Sequence, residues 1–262
     1  MSLSDEKEMY LLASQFPAFK QKIEKARKRI EYALNGSCNA SISFSSGKDS
    51  VVLLHLAMEA GFRGKLVFFK YGIFSDVETP IENIKLLEYY ADLYKLEYEI
   101  LDCLGEVDCW ERCGKFILFP ETETEKQIFR ETNYDYVKKS ARFEERNKID
   151  LSIIGMRKDE SKRRSIVLNK RGALYQTRIR DSVTSCPMLD FKNEDIWAYI
   201  FSRNLKYLSI YDYPFIDRRL NRNEVTLLYN DAIIRNGALF HYRKMYPDYF
   251  LWLKNRWGDS LP

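Results

Sequence analysis

The chain has 262 residues, with 42 Lys and Arg against 38 Asp and Glu, a net charge of +4, and 45% hydrophobic and 31% charged residues. That composition suits one α/β domain with an appendage, and so modest a charge gives little support to tight non-specific nucleic-acid binding. No apolar run approaches ~20 residues, the amino terminus is acidic and polar in place of a basic and then apolar leader, and the five cysteines are an odd number, so the expectation is a cytoplasmic protein with no membrane span and no disulfide scaffold.

Residues 5–34 have the periodicity of a helix, with Phe19, Ile23, Ala26, Ile30 and Leu34 as its apolar stripe and Asn35-Gly36 as its end. The basic face from Lys20 to Arg29 reads as solvated surface, with partner binding the alternative. Ser41 to Phe44 alternates as a buried strand, and Asp49 to Ala57 has the apolar content of a packed helix. A small-residue turn at a strand's carboxyl end converges backbone N–H groups on one point. The helix adds its first N–H groups and positive dipole end, and Lys48 adds a mobile cation, so phosphate is the expected ligand. Walker A is excluded, because Ile42 and Asp49 hold the places where it needs Gly and Ser or Thr. The plain alternative is a polar turn in which Asp49 or Ser45 only caps the helix.

Lys65 to Phe69 reads as a strand, a helix runs from Pro80 through Ala91, and Leu96 to Leu101 alternates as a further strand. This β-α-β-α-β order predicts an α/β fold with a doubly wound parallel sheet and a ligand crevice at the strand carboxyl ends. Residues 103–126 read as an irregular loop over that crevice, 127–148 as a helix, and Ile149 to Ile154 as a strand that delivers Gly155 and Arg157 to the same edge. Arg157, Lys158, Lys162, Arg163 and Arg164 form the densest cationic block, and arginine's planar fork suits phosphate and sulfate. A solvated basic helix face is the alternative. Residues 166–180 have hairpin chemistry around Asn169-Lys170-Arg171-Gly172, and Pro187 to Ile200 reads as a loop leading into an amphipathic helix.

From Leu205 the chain turns aromatic, with Tyr207, Tyr211, Tyr213, Phe215, Phe240, Tyr242, Tyr246, Tyr249, Phe250, Trp252 and Trp257 interleaved with Arg218, Arg219, Arg222, Arg235 and Arg243. Two readings stand: a small helical extension packed on the sheet, or a surface that stacks and neutralises single-stranded nucleic acid. The expected division is therefore 1–204 and 205–262.

Ser45-Ser46-Gly47-Lys48-Asp49-Ser50 resembles the PP-loop of the N-type ATP pyrophosphatases, in the branch containing phosphoadenosine phosphosulfate (PAPS) reductases and sulfate adenylyltransferase small subunits. Two further blocks follow in that family's order: Gly155 to Arg164 resembles its G-x-R-x-x-x-S-x-x-R segment, and Pro187 to Phe191 with Trp197 to Ile200 resembles its closing loop and helix. The resemblance spans residues 40 to 215. It implies an adenine nucleotide alpha hydrolase-like fold with a helical, aromatic-rich carboxyl-terminal extension. It also implies an enzyme that binds ATP with magnesium, adenylylates a substrate and releases pyrophosphate. Ser45, Ser46, Gly47, Lys48, Asp49, Ser50, Gly155, Arg157, Arg163 and Arg164 would then bind nucleotide. Lys48, Asp49, Arg157 and Arg164 would act in transfer, with Asp49 near magnesium.

The chain departs from the family pattern in two places, with Ser46 for a common Gly and Lys70-Tyr71-Gly72 for an acidic turn, while Glu78-Thr79 survives. Lys70 could meet an anionic group or simply snorkel. A PAPS reductase is the second reading, although no cysteine follows Cys186, and a non-catalytic nucleotide-binding subunit is the third. An iron–sulfur cluster would draw on Cys103, Cys109, Cys113 and Cys186, but C-x5-C-x3-C matches no standard cluster run. Resemblance to DNA-phosphorothioation proteins implies nucleic-acid sulfur modification, with a separate cysteine desulfurase supplying sulfur. Sulfate activation would instead imply a GTPase partner.

Overall fold

The computed structural model describes residues 3–72, 79–117, 119–177, 181–212 and 238–258. The expected amino-terminal helix is two helices, α1 (Leu3–Ala13) and α2 (Pro17–Asn35). Pro17 is the reason: it cannot continue a helix as a donor, but its fixed φ suits a first turn. Phe19, Ala26, Ile30 and Ala33 of α2 are buried.

The alternating order then appears as β1 (Ala40–Ser43), α3 (Lys48–Glu59), β2 (Lys65–Tyr71), α4 (Ile81–Tyr94) and β3 (Tyr98–Cys103). Gly64 precedes β2 where a Cβ would come within 1.9 Å of the Ala40 carbonyl oxygen, so no other residue fits that approach. After α5 (Glu106–Cys113) and α6 (Glu123–Arg146), the short strand β4 (Leu151–Ile153) returns to the sheet beside β1, with Ile42 opposite Ile153. The stretch expected to be irregular thus contains α5, ended by Gly114 at φ +68. The start of α6 is fixed by Glu125, whose carboxylate accepts the N–H groups of Glu121 and Thr122.

The expected hairpin over 166–180 does not form. Residues Lys162–Arg171 are α7, because Ser161 caps it by accepting the Arg164 N–H at 3.2 Å and Gly172 ends it at φ +78. A different hairpin follows, β5 (Leu174–Gln176) antiparallel to β6 (Val183–Ser185), and α8 (Asn193–Ser202) comes after it. The six-stranded sheet has the order β3-β2-β1-β4-β6-β5. β1 pairs in parallel with both β2 and β4, and β4 pairs in parallel with β6.

The chain divides into two compact units. The first comprises Met1–Phe68, Glu82–Glu99 and Ala141–Arg222, and the division expected after residue 204 falls inside it. Here Tyr207 and Tyr211 pack edge-on against Trp197. The second comprises Phe69–Ile81, Ile100–Ser140 and Asn223–Pro262. Its core joins Val107, Cys109 and Trp110 of α5 with Phe129, Leu253 and Trp257, and Tyr246, Tyr249 and Phe250 pack against it. Tyr249, Phe250, Leu253 and Trp257 belong to the helix Pro247–Trp257, and Tyr246 lies between it and the helix Ala238–Met245. Tyr213, Phe215, Arg218, Arg219, Arg222, Arg235 and Glu78, together with the Tyr242 side chain, lie outside the described residues. No described helix is long and apolar enough to cross a membrane.

Candidate functional site

The chain leaves β1 at its carboxyl end and enters α3 within a few residues, and the backbone shows how. Ser46 takes φ +60 and Gly47 takes extended φ −70, ψ 159 as the cap of α3. A non-glycine residue in the left-handed region costs about 1–2 kcal/mol. Ser46 is fully buried, and its hydroxyl donates to the Asn83 carbonyl at 2.5 Å, which holds it there. The Ser50 hydroxyl donates to the Gly47 carbonyl at 2.8 Å, and the Gly47 N–H donates weakly to Ser45 Oγ at 3.4 Å. The first turn of α3 keeps its positive end at this point, beside the exposed Ser45.

Two cations converge on one carboxylate in that first turn. Lys48, only 1% exposed, places Nζ 2.9 Å from Asp49 Oδ2. Arg157, which follows β4, is fully buried and places Nε 2.6 Å from Asp49 Oδ1. Its guanidinium also meets the Phe191 carbonyl at 3.4 Å and Asp159 Oδ2 at 3.5 Å. Gly155 lies against the same turn, where a Cβ would stand 3.5 Å from the Asp49 carbonyl carbon and oxygen. One site residue carried no motif signal: the Lys48 N–H donates to the Tyr211 hydroxyl at 3.3 Å. Tyr211 reads from sequence only as part of the aromatic run, because nothing local marks a side chain that arrives from the far end of the family segment.

The rest of the cationic block goes elsewhere. Arg164 pairs with Glu160, whose carboxylate also accepts the Arg157 N–H, while Arg163 is exposed. Lys158 joins Lys25 and Arg29 around Asp190, at 3.2, 3.3 and 2.7 Å. Burial works to raise the Asp190 carboxyl, but Arg29, Lys158 and Lys25 together hold it down at about 2. In the second unit Lys70 lies 3.9 Å from Asp102 Oδ1. The Thr79 hydroxyl accepts the Tyr71 N–H and donates to the Tyr71 carbonyl.

The thiols are mostly inside. Burial pushes Cys103 and Cys186 up to about 12 each, and the buried Cys109 Sγ donates to Thr132 Oγ1 at 3.1 Å. Cys113 is half-buried with its thiol also raised by burial, and Cys38 is exposed. Among the described residues no group of three or more His, Cys, Asp and Glu is placed to hold a metal ion.

A family model for the phosphoadenosine phosphosulfate reductase domain matches residues 39–217. Sulfate adenylyltransferase subunit 2 of Aeromonas hydrophila is 26% identical over 203 residues, covering 74% of this chain and 66% of that protein. Its counterpart in Shewanella amazonensis is 27% identical over 206 residues, with the same two shares. The chain thus spans just under two thirds of the length of these relatives. Among solved structures, the PAPS reductase of Candida auris in its phosphate complex superimposes with a TM-score of 0.55 at 12% identity, over 83% of this chain and 94% of that one. The U34-tRNA thiolase NcsA of Methanococcus maripaludis, with its [4Fe-4S] cluster, gives 0.52 at 14% identity, over 90% and 80%. Both share the fold.

Proposed function

The chain belongs to the phosphoadenosine phosphosulfate reductase domain family, and we propose that it is a nucleotide enzyme that binds ATP at the amino end of α3 and transfers its adenylyl group to an acceptor, releasing pyrophosphate. The observation that carries this reading is the pair of buried cations, Lys48 and Arg157, fixed on Asp49 at a helix amino terminus. Backbone N–H groups of the first turn and the Lys48 ammonium suit the departing pyrophosphate, and Asp49 keeps both cations oriented. An acceptor oxygen attacks the α-phosphorus while the bond to the bridging oxygen breaks. Fixed donors stabilise the charge that develops, with no reorganisation needed at that moment.

Magnesium would be held chiefly by the phosphates of ATP, with Asp49 as the candidate protein carboxylate. Both oxygens of Asp49 are engaged by Lys48 and Arg157, and among the described residues no set of metal ligands is gathered. The described cysteines likewise do not form a cluster ligand set. The PAPS-reductase reading needs a nucleophilic thiolate, and burial, which raises the Cys103 and Cys186 thiols, disfavours these two for that role.

The acceptor proposed is a nucleic-acid phosphate, as in DNA phosphorothioation, with a cysteine desulfurase as sulfur donor. Its support is the run of Arg218, Arg219 and Arg222 beside the family segment. ATP–pyrophosphate exchange measured with sulfate, with an oligonucleotide and with neither tests both levels. Absence of exchange under all three conditions removes the adenylyl-transfer reading. Exchange with sulfate alone removes the nucleic-acid acceptor, and makes the protein a sulfate-activating subunit like its relatives.

A further inference from the structure

β5 ends the sheet order, and among the described residues no strand pairs with its outer side. The register Tyr175↔Thr184 and the bond from the Cys186 N–H to the Ala173 carbonyl put 173 and 175 in the hydrogen-bonded pairs with β6. The N–H and C=O groups of Leu174 and Gln176 therefore point outward, alternating donor and acceptor along an open edge.

Beside this edge runs a groove of about 770 Å³ between α2 and the β5–β6 hairpin. Its lining includes the apolar side chain of Leu174, 38% exposed, and the ring of Tyr32, 73% exposed. Its rim is cationic: Lys20, Lys25, Lys28 and Arg29 line it against the single carboxylate of Glu24. Lys25 and Arg29 already share Asp190, so the rim keeps an excess of positive charge after that pairing. Lys28 reaches Glu24 only at 3.5 Å and is 70% exposed, a pair weak enough to be exchanged.

We propose that β5 and this groove take an extended acidic segment of a partner protein, which adds as a strand to the outer edge and lays alternate apolar side chains into the groove. The open edge offers both donors and acceptors, which matches a polypeptide main chain. A nucleic-acid backbone offers chiefly acceptors and would leave the outward carbonyls unmatched. The positive rim selects acidic over basic segments. This inference stands independently of the nucleotide chemistry proposed above.

The test is selection of random nine-residue peptides displayed on phage against the full chain, followed by fluorescence anisotropy with the enriched peptides. Expected are peptides alternating apolar residues with Asp or Glu. Their affinity should fall at least about tenfold in Leu174→Asp and in Lys28→Glu, variants at exposed positions whose melting temperatures should match the parent. Replacing the peptide's acidic residues with Lys should restore binding to Lys28→Glu, which a merely perturbed fold would not do. No enrichment, enrichment of basic peptides, equal binding to Leu174→Asp, or displacement of the peptide by an oligothymidine each overturns the proposal.

Discussion

Arg157 and Asp49 are 108 residues apart in the chain and 2.6 Å apart in space. Through that contact the carboxyl end of β4 and the first turn of α3 are locked together, and a fully buried guanidinium finds its nearest carboxylate. Removing one partner of a buried pair strands the other, at about 3–5 kcal/mol. Asp49 is 20% exposed, so the lower figure applies. Asp49→Ala should lose about 3 kcal/mol and melt roughly 6–12 °C lower, as calorimetry would show. A variant that melts within about 2 °C of the parent would mean that other contacts hold Arg157.

Lys48→Ala should weaken ATP binding by roughly 10- to 100-fold in isothermal titration, the ~1.5–3 kcal/mol of a charge-assisted hydrogen bond. The second cation makes the loss partial, since Arg157 stays in place. Unchanged affinity in this variant would move the nucleotide away from α3.

Tyr211→Phe tests whether the tyrosine hydroxyl caps the anion site or serves it. The hydroxyl now holds the Lys48 N–H, so its removal should release that donor to an incoming phosphate. Pyrophosphate should bind roughly 3- to 10-fold more tightly, with about 1 kcal/mol lost from the fold without ligand. Weaker pyrophosphate binding would identify the hydroxyl as a direct ligand instead.

Glu106 sets a pH dependence. Burial pushes its carboxyl from 4.5 up to about 7. Between those values the unfolded chain has released the proton and the folded chain still holds it, so stability is full below pH 4.5 and falls as pH rises to 7. The loss is at most about 3 kcal/mol. Urea titrations of Glu106→Gln and parent at pH 4.5 and pH 8 should show the variant gaining relative stability at the higher pH. A difference that does not change with pH would contradict this.

Alkylation should separate the thiols by burial. At pH 8 iodoacetamide should modify Cys38 first, while Cys103 and Cys186, both held near 12, remain unmodified in the folded protein. Peptide mass spectrometry reads the order directly, and early labelling of Cys186 would be the contrary result.

The strand, turn and helix at residues 40–59 and the alternation through β3 are legible in the amino-acid order, because short-range apolar pattern and turn chemistry act within one or two elements. That order marks Lys48 and Asp49 for the same reason. Local reading failed at Pro17, where one missing donor splits a helix, and at 166–168, where Ile166-Val167-Leu168 has strand composition but lies in α7. A Ser161 cap and the burial of Leu168 alone outweigh that propensity. Long-range packing selects which members of the cationic block meet the loop. The five basic residues between 157 and 164 are equivalent as composition. The strand end carries Arg157 to a fully buried position where a charge must be paired, while Arg164 turns onto Glu160 and Lys158 onto Asp190. Tyr211 reaches Lys48 by the same kind of closure, across 163 residues, through packing that no local pattern encodes.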